Sequence, residues 1–226
     1  SATASVKGIN NFKEANLKYM EAKVIYSELG KTERVNSLKM KINKLANQKL
    51  VKEGEKYKQQ GFSYFQAGKY EKALFNYNQA KKMFAQVNQP DEQREVEIQI
   101  AKVRKQQAIR QAKGYEKAAQ KQLEKQNYEK ALKKYKQAKQ IYIDKNLQTA
   151  EEKINSKLDE VNYKMANHYE KLGNELVQKE EYEQALDKYK KAKNIYTQIN
   201  YQQANKKVRK KIKEKKNKKE KASFFF

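Results

Sequence analysis

The sequence predicts an all-α repeat protein, and three observations support this prediction. A 19-residue segment occurs four times without gaps, beginning at Phe12, Tyr70, Tyr128 and Tyr182. Apolar residues recur within each copy at the spacing of one helix face. The copies begin 58, 58 and 54 residues apart, and a regular period of this kind is typical of helical repeats. One proline and seven glycines leave few places where a helix could break.

The four copies share one packing face. Counted from the first aromatic residue, an alanine stands at position 3, a tyrosine at 7, an alanine at 10 and an aromatic residue at 14. The small residues allow a neighbouring helix to approach closely, and the rings can fill its grooves. The four sets are Ala15, Tyr19, Ala22 and Tyr26; Ala73, Tyr77, Ala80 and Phe84; Ala131, Tyr135, Ala138 and Tyr142; and Ala185, Tyr189, Ala192 and Tyr196.

Each copy is expected to form a short helix that ends at a residue able to adopt the left-handed conformation. These residues are Gly30, Asn88, Asn146 and Asn200. The next helices are predicted to begin with side-chain caps at Thr32, at Asp91, and at Thr149 with Glu152 as a capping box.

Long helices are predicted to follow these stops. Apolar residues continue in phase from Leu147 to Leu176, which predicts one helix of about 33 residues. The stretches 31–67 and 91–125 show the same pattern. We therefore expect short helices of about 18 residues to alternate with long ones of about 33.

A second pattern precedes each later copy. Residues 169–176 read Tyr-x-x-Leu-Gly-x-x-Leu, residues 57–64 read Tyr-x-x-Gln-Gly-x-x-Tyr, and residues 115–122 are a degenerate version. With the alanine and tyrosine of the following helix, this resembles the tetratricopeptide repeat (TPR), a pair of helices called A and B. The resemblance covers residues 54–88, 112–146 and 166–200. It implies a TPR-like α-solenoid of alternating short and long antiparallel helices, with an additional helix after each pair.

The repeat pattern divides the chain into three parts. Residues 1–30 form an incomplete first repeat, residues 31–205 the TPR-like array, and residues 206–226 a lysine-rich terminal helix and tail. The first repeat has helix B but only an irregular stub in place of helix A. Because the near end therefore looks cut, we expect a fragment of a longer protein.

Composition narrows the function classes. The absence of cysteine excludes thiol nucleophiles and zinc–thiolate sites, and no apolar run approaches the roughly 18 residues of a membrane span. His168 is the only histidine, and no glycine-rich phosphate loop accompanies it. We predict no catalytic, cofactor or metal site. The net charge of +25 favours a partner with a negative surface.

The resemblance implies a partner-binding groove lined by helix A. TPR domains that bind chaperone tails hold a C-terminal carboxylate with lysine and asparagine at these positions. Asn174 matches that pattern, whereas Glu170 stands at a lysine position, so an extended or helical peptide is favoured over a chaperone tail. The expected groove residues are Lys58, Phe62, Phe65, Gln66, Gln120, Leu123, Asn174, Val177 and Gln178.

The terminal segment is a second candidate surface. It can bind phosphates or acidic tails, or it can be a solvated last helix. Phe224–Phe226 favour docking in a partner's groove, or truncation, over membrane contact. The basic tail residues are Lys206, Lys207, Arg209, Lys210, Lys211, Lys213, Lys215 and Lys216.

The sequence thus predicts a non-enzymatic protein-interaction scaffold or structural subunit of a hetero-complex in the cytoplasm. It would bind a partner with an acidic surface or tail through the helix A groove and the basic surface. A microtubule or axonemal lattice, with its acidic tubulin tails, is one such assembly, which makes a cytoskeletal or ciliary location an option. The alternative is a nucleic-acid (RNA)-binding protein that uses basic helix faces and the lysine-rich tail.

Overall fold

The computed structural model describes the backbone of residues 2–223 and the side chains of residues 12–217. The described chain is entirely helical apart from short turns. The short helices α3, α5 and α7 have 17 residues each, and the long helices α2, α4 and α6 have 35, 35 and 31. The predicted all-α repeat fold of alternating short and long helices is confirmed. The helices are α1 (Ala2–Glu28), α2 (Thr32–Gln66), α3 (Tyr70–Gln86), α4 (Pro90–Glu124), α5 (Tyr128–Asp144), α6 (Gln148–Gln178), α7 (Tyr182–Gln198) and α8 (Gln202–Ser223).

The helices form two compact units, residues 1–107 and 108–226, whose boundary lies within α4. This boundary differs from the sequence-based divisions at 30/31 and 205/206, which describe the repeat pattern and stay a prediction. The predicted irregular stub before the first copy is wrong. The backbone from Ala2 is already helical and continues into the first copy as α1.

Each repeat is composed of up to three helical segments, which we name A, B and C. The A segments are residues 54–66, 112–124 and 166–178, and the B segments are α1, α3, α5 and α7. The C segments are residues 32–50, 90–107, 148–162 and 202–217. Within the described residues, the first repeat contains B and C, whereas the second, third and fourth contain A, B and C. A long helix is therefore the C segment of one repeat joined to the A segment of the next.

Helices α1 to α7 all end in the same main-chain motif. In the turn after α2, Gly68 N donates to Phe65 O and Lys69 N donates to Tyr64 O, each at 2.9 Å. These are the two hydrogen bonds of a Schellman motif, and the same pair recurs after the other six helices. One residue per turn has a positive φ: Gly30, Gly68, Asn88, Gln126, Asn146, Glu180 and Asn200. The four predicted stops are confirmed.

The predicted side-chain caps are wrong. The residues that precede α2 and α6 are Lys31 and Leu147, and neither makes a side-chain capping hydrogen bond. Thr32 and Thr149 lie inside the helices because each turn is closed by main-chain bonds before the threonine is reached. Pro90, the only proline, stands first in α4, where its missing N–H leaves no helical hydrogen bond unmade.

Replacing Glu180 with glycine is expected to stabilise the protein by about 0.5–1 kcal/mol. Glu180 has a φ of 64°, and a side chain in that conformation costs about 1–2 kcal/mol. Glycine removes this cost, but it loses more conformational entropy on folding than glutamate, which offsets part of the gain. Gly68 occupies the same position in the second repeat, so Gly68→Ala should destabilise the protein. Urea denaturation measures both changes, and a destabilising Glu180→Gly would contradict the prediction.

The packing face predicted from the sequence forms the core of each three-segment repeat. The alanines of the second, third and fourth copies are fully buried, and the aromatic residues of the same stripes are at most 4% exposed. In the second repeat, Val96, Ile100 and Val103 of segment C close this core from the other side. The equivalent closing residues are Ile154, Leu158 and Val161 in the third repeat, and Val208 and Ile212 in the fourth.

Small residues on segment A allow the rings of segment B to approach the helix backbone. A Cβ atom at Gly61 would lie 2.8 Å from Cδ1 of Tyr77, and one at Gly173 would lie 2.7 Å from Cε1 of Tyr189. Seven residues before Gly61, a Cβ atom at Gly54 would similarly lie 2.9 Å from Cε1 of Phe84. Segment A therefore presents two small residues seven apart, one for each ring.

Candidate interaction surfaces

An ion pair joins segments A and C in each complete repeat. In the fourth repeat, Lys211 Nζ lies 2.6 Å from Glu170 Oε1, and in the third repeat Lys157 is paired with Glu116. Glu170 is only 7% exposed. A carboxylate so far from water requires such a partner, so this pair belongs to the fold rather than to the solvated surface.

The second repeat carries the same ion pair with its charges exchanged. Here segment A supplies Lys58, whose Nζ lies 2.7 Å from Glu92 and 2.9 Å from Glu95 of segment C. Lys58 stands at the position of Glu170, and Glu95 stands at the position of Lys207, which lies 3.9 Å from Glu170. The contact between A and C is kept although its polarity is reversed.

The neighbouring aromatic residue changes together with the charge. Tyr196 donates a hydrogen bond to Glu170 at 3.4 Å, and Tyr142 donates one to Glu116. Phe84 stands at this position in the second repeat, and Lys58 Nζ lies 6.0 Å from the centre of its ring. A carboxylate thus occurs with a hydroxyl donor, and an ammonium occurs with an aromatic face.

The third-repeat pair shifts the ionisation of its members. Burial alone would raise the pKa of the Glu116 carboxyl, but hydrogen bonds from Lys157 and Tyr142 outweigh it and hold that pKa below its usual value. The pKa of Tyr142 is raised, first by burial and then by the adjacent Glu116. The carboxylate and the neutral phenol are therefore the states that fit this contact.

A second hydrogen bond ties segment B to segment A in two repeats. The Tyr189 hydroxyl donates to Asn174 Oδ1 at 2.8 Å, and the Tyr135 hydroxyl donates to Gln120 Oε1 at 3.3 Å. Phe62 stands at the equivalent position in the second repeat and offers no acceptor. Within residues 12–217, the buried Tyr77 hydroxyl has no hydrogen-bond partner.

Tyr189→Phe is expected to destabilise the protein by about 1 kcal/mol, because it removes a buried hydrogen bond. Tyr77→Phe is the matched control, since the hydroxyl that it removes makes no bond with the described chain. This second change should leave the free energy of unfolding unchanged or raise it. Urea denaturation of both variants tests the difference. Equal losses would show that the hydroxyl of Tyr189 contributes nothing beyond that of Tyr77.

The structure places the predicted groove residues in different environments. Leu123 is 9% exposed and packs in the core of the third repeat, so its prediction as a surface residue is corrected. Phe65 and Val177 are half-buried against the cores of the second and fourth repeats. Phe62, Gln66 and Gln178 are exposed.

The polar groove residues make contacts within the chain. Lys58 is bound to Glu92 and Glu95, and Gln120 accepts the Tyr135 hydroxyl. Asn174 accepts both Tyr189 and Lys211, the latter at 3.0 Å. At these positions, segment C and the tyrosines of segment B contact helix A, because an additional helix follows each pair. The use of this face by a partner stays a prediction.

The basic tail is the last helix of the second unit in its described part. Val208 is fully buried in the fourth-repeat core, and Lys211 is held by Glu170 and Asn174. Lys215 is half-buried. The remaining predicted tail residues are exposed: Lys206, Lys207, Arg209, Lys210, Lys213 and Lys216. Phe224–Phe226 lie outside the described residues.

The sequence prediction missed an exposed apolar surface on α1. Between residues 12 and 217, four of the twelve exposed large apolar side chains lie on this helix and a fifth directly follows it, at 49–63% exposure. They are Leu17, Met20, Val24, Ile25 and Leu29. A comparison between copies could have found part of it. The positions of Leu17, Met20 and Val24 hold Lys133, Lys136 and Gln140 in the third copy, and Asp187, Lys190 and Asn194 in the fourth.

The described residues contain no group of three or more potential metal-ligating side chains. Among the same residues, no helix has the length and apolar character required to cross a bilayer.

Comparisons with known proteins give little further information. No family model matches the chain, and no curated protein matches it. Among solved structures, the chain is similar to a "Circular tandem repeat protein with novel repeat topology and enhanced subunit contact surfaces". The sequences are 11% identical, the TM-score is 0.20, and the match covers 91% of this chain. The chain spans about half the length of that protein, since the match covers 45% of it.

Proposed function

We propose that this chain is a non-enzymatic protein-interaction scaffold and a subunit of a larger assembly, TPR-like in its A–B pairs. The apolar surface of α1 carries this proposal. In water, this helix gains nothing by exposing four large apolar side chains, with Leu29 directly after it. A protein partner that covers them removes this area from water.

The charge of the chain indicates the kind of partner. With 52 lysines and arginines against 27 acidic residues, the chain has 25 more cations than anions, so almost half of its cations have no acidic residue to neutralise them. A partner with an acidic surface or tail would associate faster and more specifically than a neutral one. The acidic tubulin tails of a microtubule or axonemal lattice fit this requirement. The exposed A-segment residues Phe62, Gln66 and Gln178 are available for additional contacts.

Nucleic-acid binding is the second candidate, and the outward side of α8 favours it. Lys206, Arg209, Lys210 and Lys213 are exposed there, and Glu214 is the only acidic residue between positions 202 and 217. Such a row of cations can follow a phosphate backbone.

Affinity purification from a native extract, with and without nuclease, separates the two candidates when it is performed on variants. One variant carries Leu17→Glu and Val24→Glu on α1, and the other carries Arg209→Glu and Lys213→Glu on α8. All four side chains are exposed, so circular dichroism should show unchanged helicity.

For a scaffold, we expect a stoichiometric set of proteins that survives nuclease and is lost with the α1 variant. The proposal is wrong if the partners disappear with nuclease and with the α8 variant while the α1 variant retains them. That result would make the chain a nucleic-acid-binding protein.

A further inference from the structure

In the described part of the chain, no A segment covers the packing face of α1 as the A segments cover the same face in the other repeats. Ala15, Tyr19, Ala22 and Tyr26 are all partly exposed. Their equivalents in the second, third and fourth repeats are at most 4% exposed, because an A segment lies over them. Within the described residues no A segment lies over this face, and α1 continues to Ala2 where a turn from an A segment precedes α3, α5 and α7.

The three A segments show what fits this face. Each presents two small residues seven positions apart to the two rings of segment B. The pairs are Gly54 and Gly61, Ala112 and Ala119, and Ala166 and Gly173. Larger side chains at these positions would collide with the rings, so the occupant must be a helix with small residues at the same spacing.

The charged contact specifies a third position of the occupant. Lys41 Nζ lies 6.0 Å from the centre of the Tyr19 ring, as Lys211 Nζ lies 5.6 Å from the ring of Tyr189. Lys157 similarly lies 5.8 Å from Tyr135. In the third and fourth repeats this lysine is paired with a glutamate of segment A. In the part of the chain whose side chains are described, no carboxylate is paired with Lys41.

The aromatic residue of the first repeat matches the same polarity. Tyr26 stands at the position of Tyr142 and Tyr196, whose hydroxyl groups donate to the segment A glutamate. Phenylalanine stands there only in the second repeat, where segment A supplies a lysine. The combination of Lys41 and Tyr26 therefore calls for a glutamate, as in the third and fourth repeats.

We propose that α1 and residues 32–50 bind a helix of a partner protein that completes the first repeat. The helix has the pattern small-x3-Glu-x2-small-Asn/Gln, as in Ala166, Glu170, Gly173 and Asn174. The glutamate pairs with Lys41 and accepts from Tyr26, and the final amide accepts from Tyr19. This inference rests on the scaffold function and names the chemistry of one partner.

A peptide with the sequence of residues 162–180 serves as the probe. It carries the fourth-repeat pattern and is labelled with a fluorophore for titration with the full chain by fluorescence anisotropy. We expect saturable one-to-one binding with a Kd on the order of 10 μM, which is about −7 kcal/mol and modest for a helix in a groove. Glu170→Lys in the peptide should weaken binding by tenfold or more.

Exchange of the charges supplies the decisive control. Lys41→Glu in the chain should weaken binding of the original peptide and restore binding of the Glu170→Lys peptide. Lys41 is exposed, so this variant is expected to fold. Gly173→Leu in the peptide should abolish binding, because the leucine would collide with the Tyr19 ring. Val24→Glu in the chain, on the opposite side of α1, should leave peptide binding unchanged.

Four results would overturn the proposal. Three concern the peptide: no binding at 1 mM peptide, equal affinity of the wild-type and Glu170→Lys peptides for both chains, or binding of the Gly173→Leu peptide as tight as that of the wild-type peptide. Light scattering tests whether a second copy of the chain occupies this face. A wild-type dimer that Lys41→Glu dissociates would assign the face to a second copy of the chain and overturn the partner helix.

If native partners depend on Leu17 and Val24 but the peptide fails to bind, the scaffold function stands and this inference fails. If the peptide binds as expected but the native partners are nucleic acid, the scaffold function fails.

Discussion

Replacing Glu170 with alanine is expected to lower the free energy of unfolding by about 3 kcal/mol. The carboxylate is 7% exposed and accepts from Lys211 Nζ at 2.6 Å and from the Tyr196 hydroxyl at 3.4 Å. Its removal leaves the Tyr196 hydroxyl without its acceptor and leaves Lys211 without a carboxylate, with Asn174 Oδ1 at 3.0 Å as a remaining acceptor, in a site that is largely closed to water. Urea denaturation followed by circular dichroism measures this loss.

The solvated ion pair between Asp187 and Lys191 is the matched control. Its atoms lie 3.1 Å apart, and both side chains are about half exposed. Asp187→Ala should therefore change stability little. Glu170→Lys combined with Lys211→Glu should recover at least half of the loss, since the second repeat already has a lysine on segment A. Equal effects of Glu170→Ala and Asp187→Ala would show that burial does not matter here.

Replacing Gly173 with valine is expected to destabilise the protein by about 2–3 kcal/mol. The first added atom would lie 2.7 Å from Cε1 of Tyr189, whose ring is only 1% exposed. The ring cannot move away without displacing its own neighbours, so the added volume strains the contact between segments A and B. Thermal or urea unfolding, with helicity as the readout, gives the size of the effect.

Gly114→Val provides the control for this substitution. Gly114 also lies in a long helix, but nothing lies within 4 Å of the position of its missing Cβ atom. Valine there should stabilise the protein by a few tenths of a kcal/mol, because glycine is the poorer helix former. A loss at Gly114 as large as that at Gly173 would mean that valine disrupts the helix itself rather than the packing against Tyr189.

Much of the fold could be predicted from the sequence because four copies of one pattern report on the same face. Alanine and tyrosine at fixed spacing identify the core of segment B, and the structure buries them in three repeats. Left-handed turns were predicted where glycine or asparagine stood. Gln126 and Glu180 could not be predicted in this way, because the packing of the flanking helices imposes a positive φ on residues that do not prefer it.

The surface was harder to predict than the core. A periodic pattern shows which side of a helix is apolar, but not which segment covers it. The resemblance to a two-helix repeat predicts a partner-binding groove on helix A. In the structure, segment C occupies part of that face and binds Lys58 and Asn174. On α1, the packing face has the same residue types as in the other copies, but no A segment of the described chain buries it. The shared pattern also gives no sign of the exposed Leu17, Met20 and Val24 on the opposite side.

The reversed polarity of the second-repeat ion pair has a consequence for folding. Near-identical repeats in one chain can mispair, because the segment of one can dock where that of another belongs. If segment A of the second repeat met segment C of the fourth, Lys58 would face Lys207 and Lys211 without a carboxylate. Segment A of the fourth repeat on segment C of the second would bring Glu170 against Glu95. Both wrong pairings place like charges together, so the charge pattern helps each segment to select its proper neighbour while the chain folds.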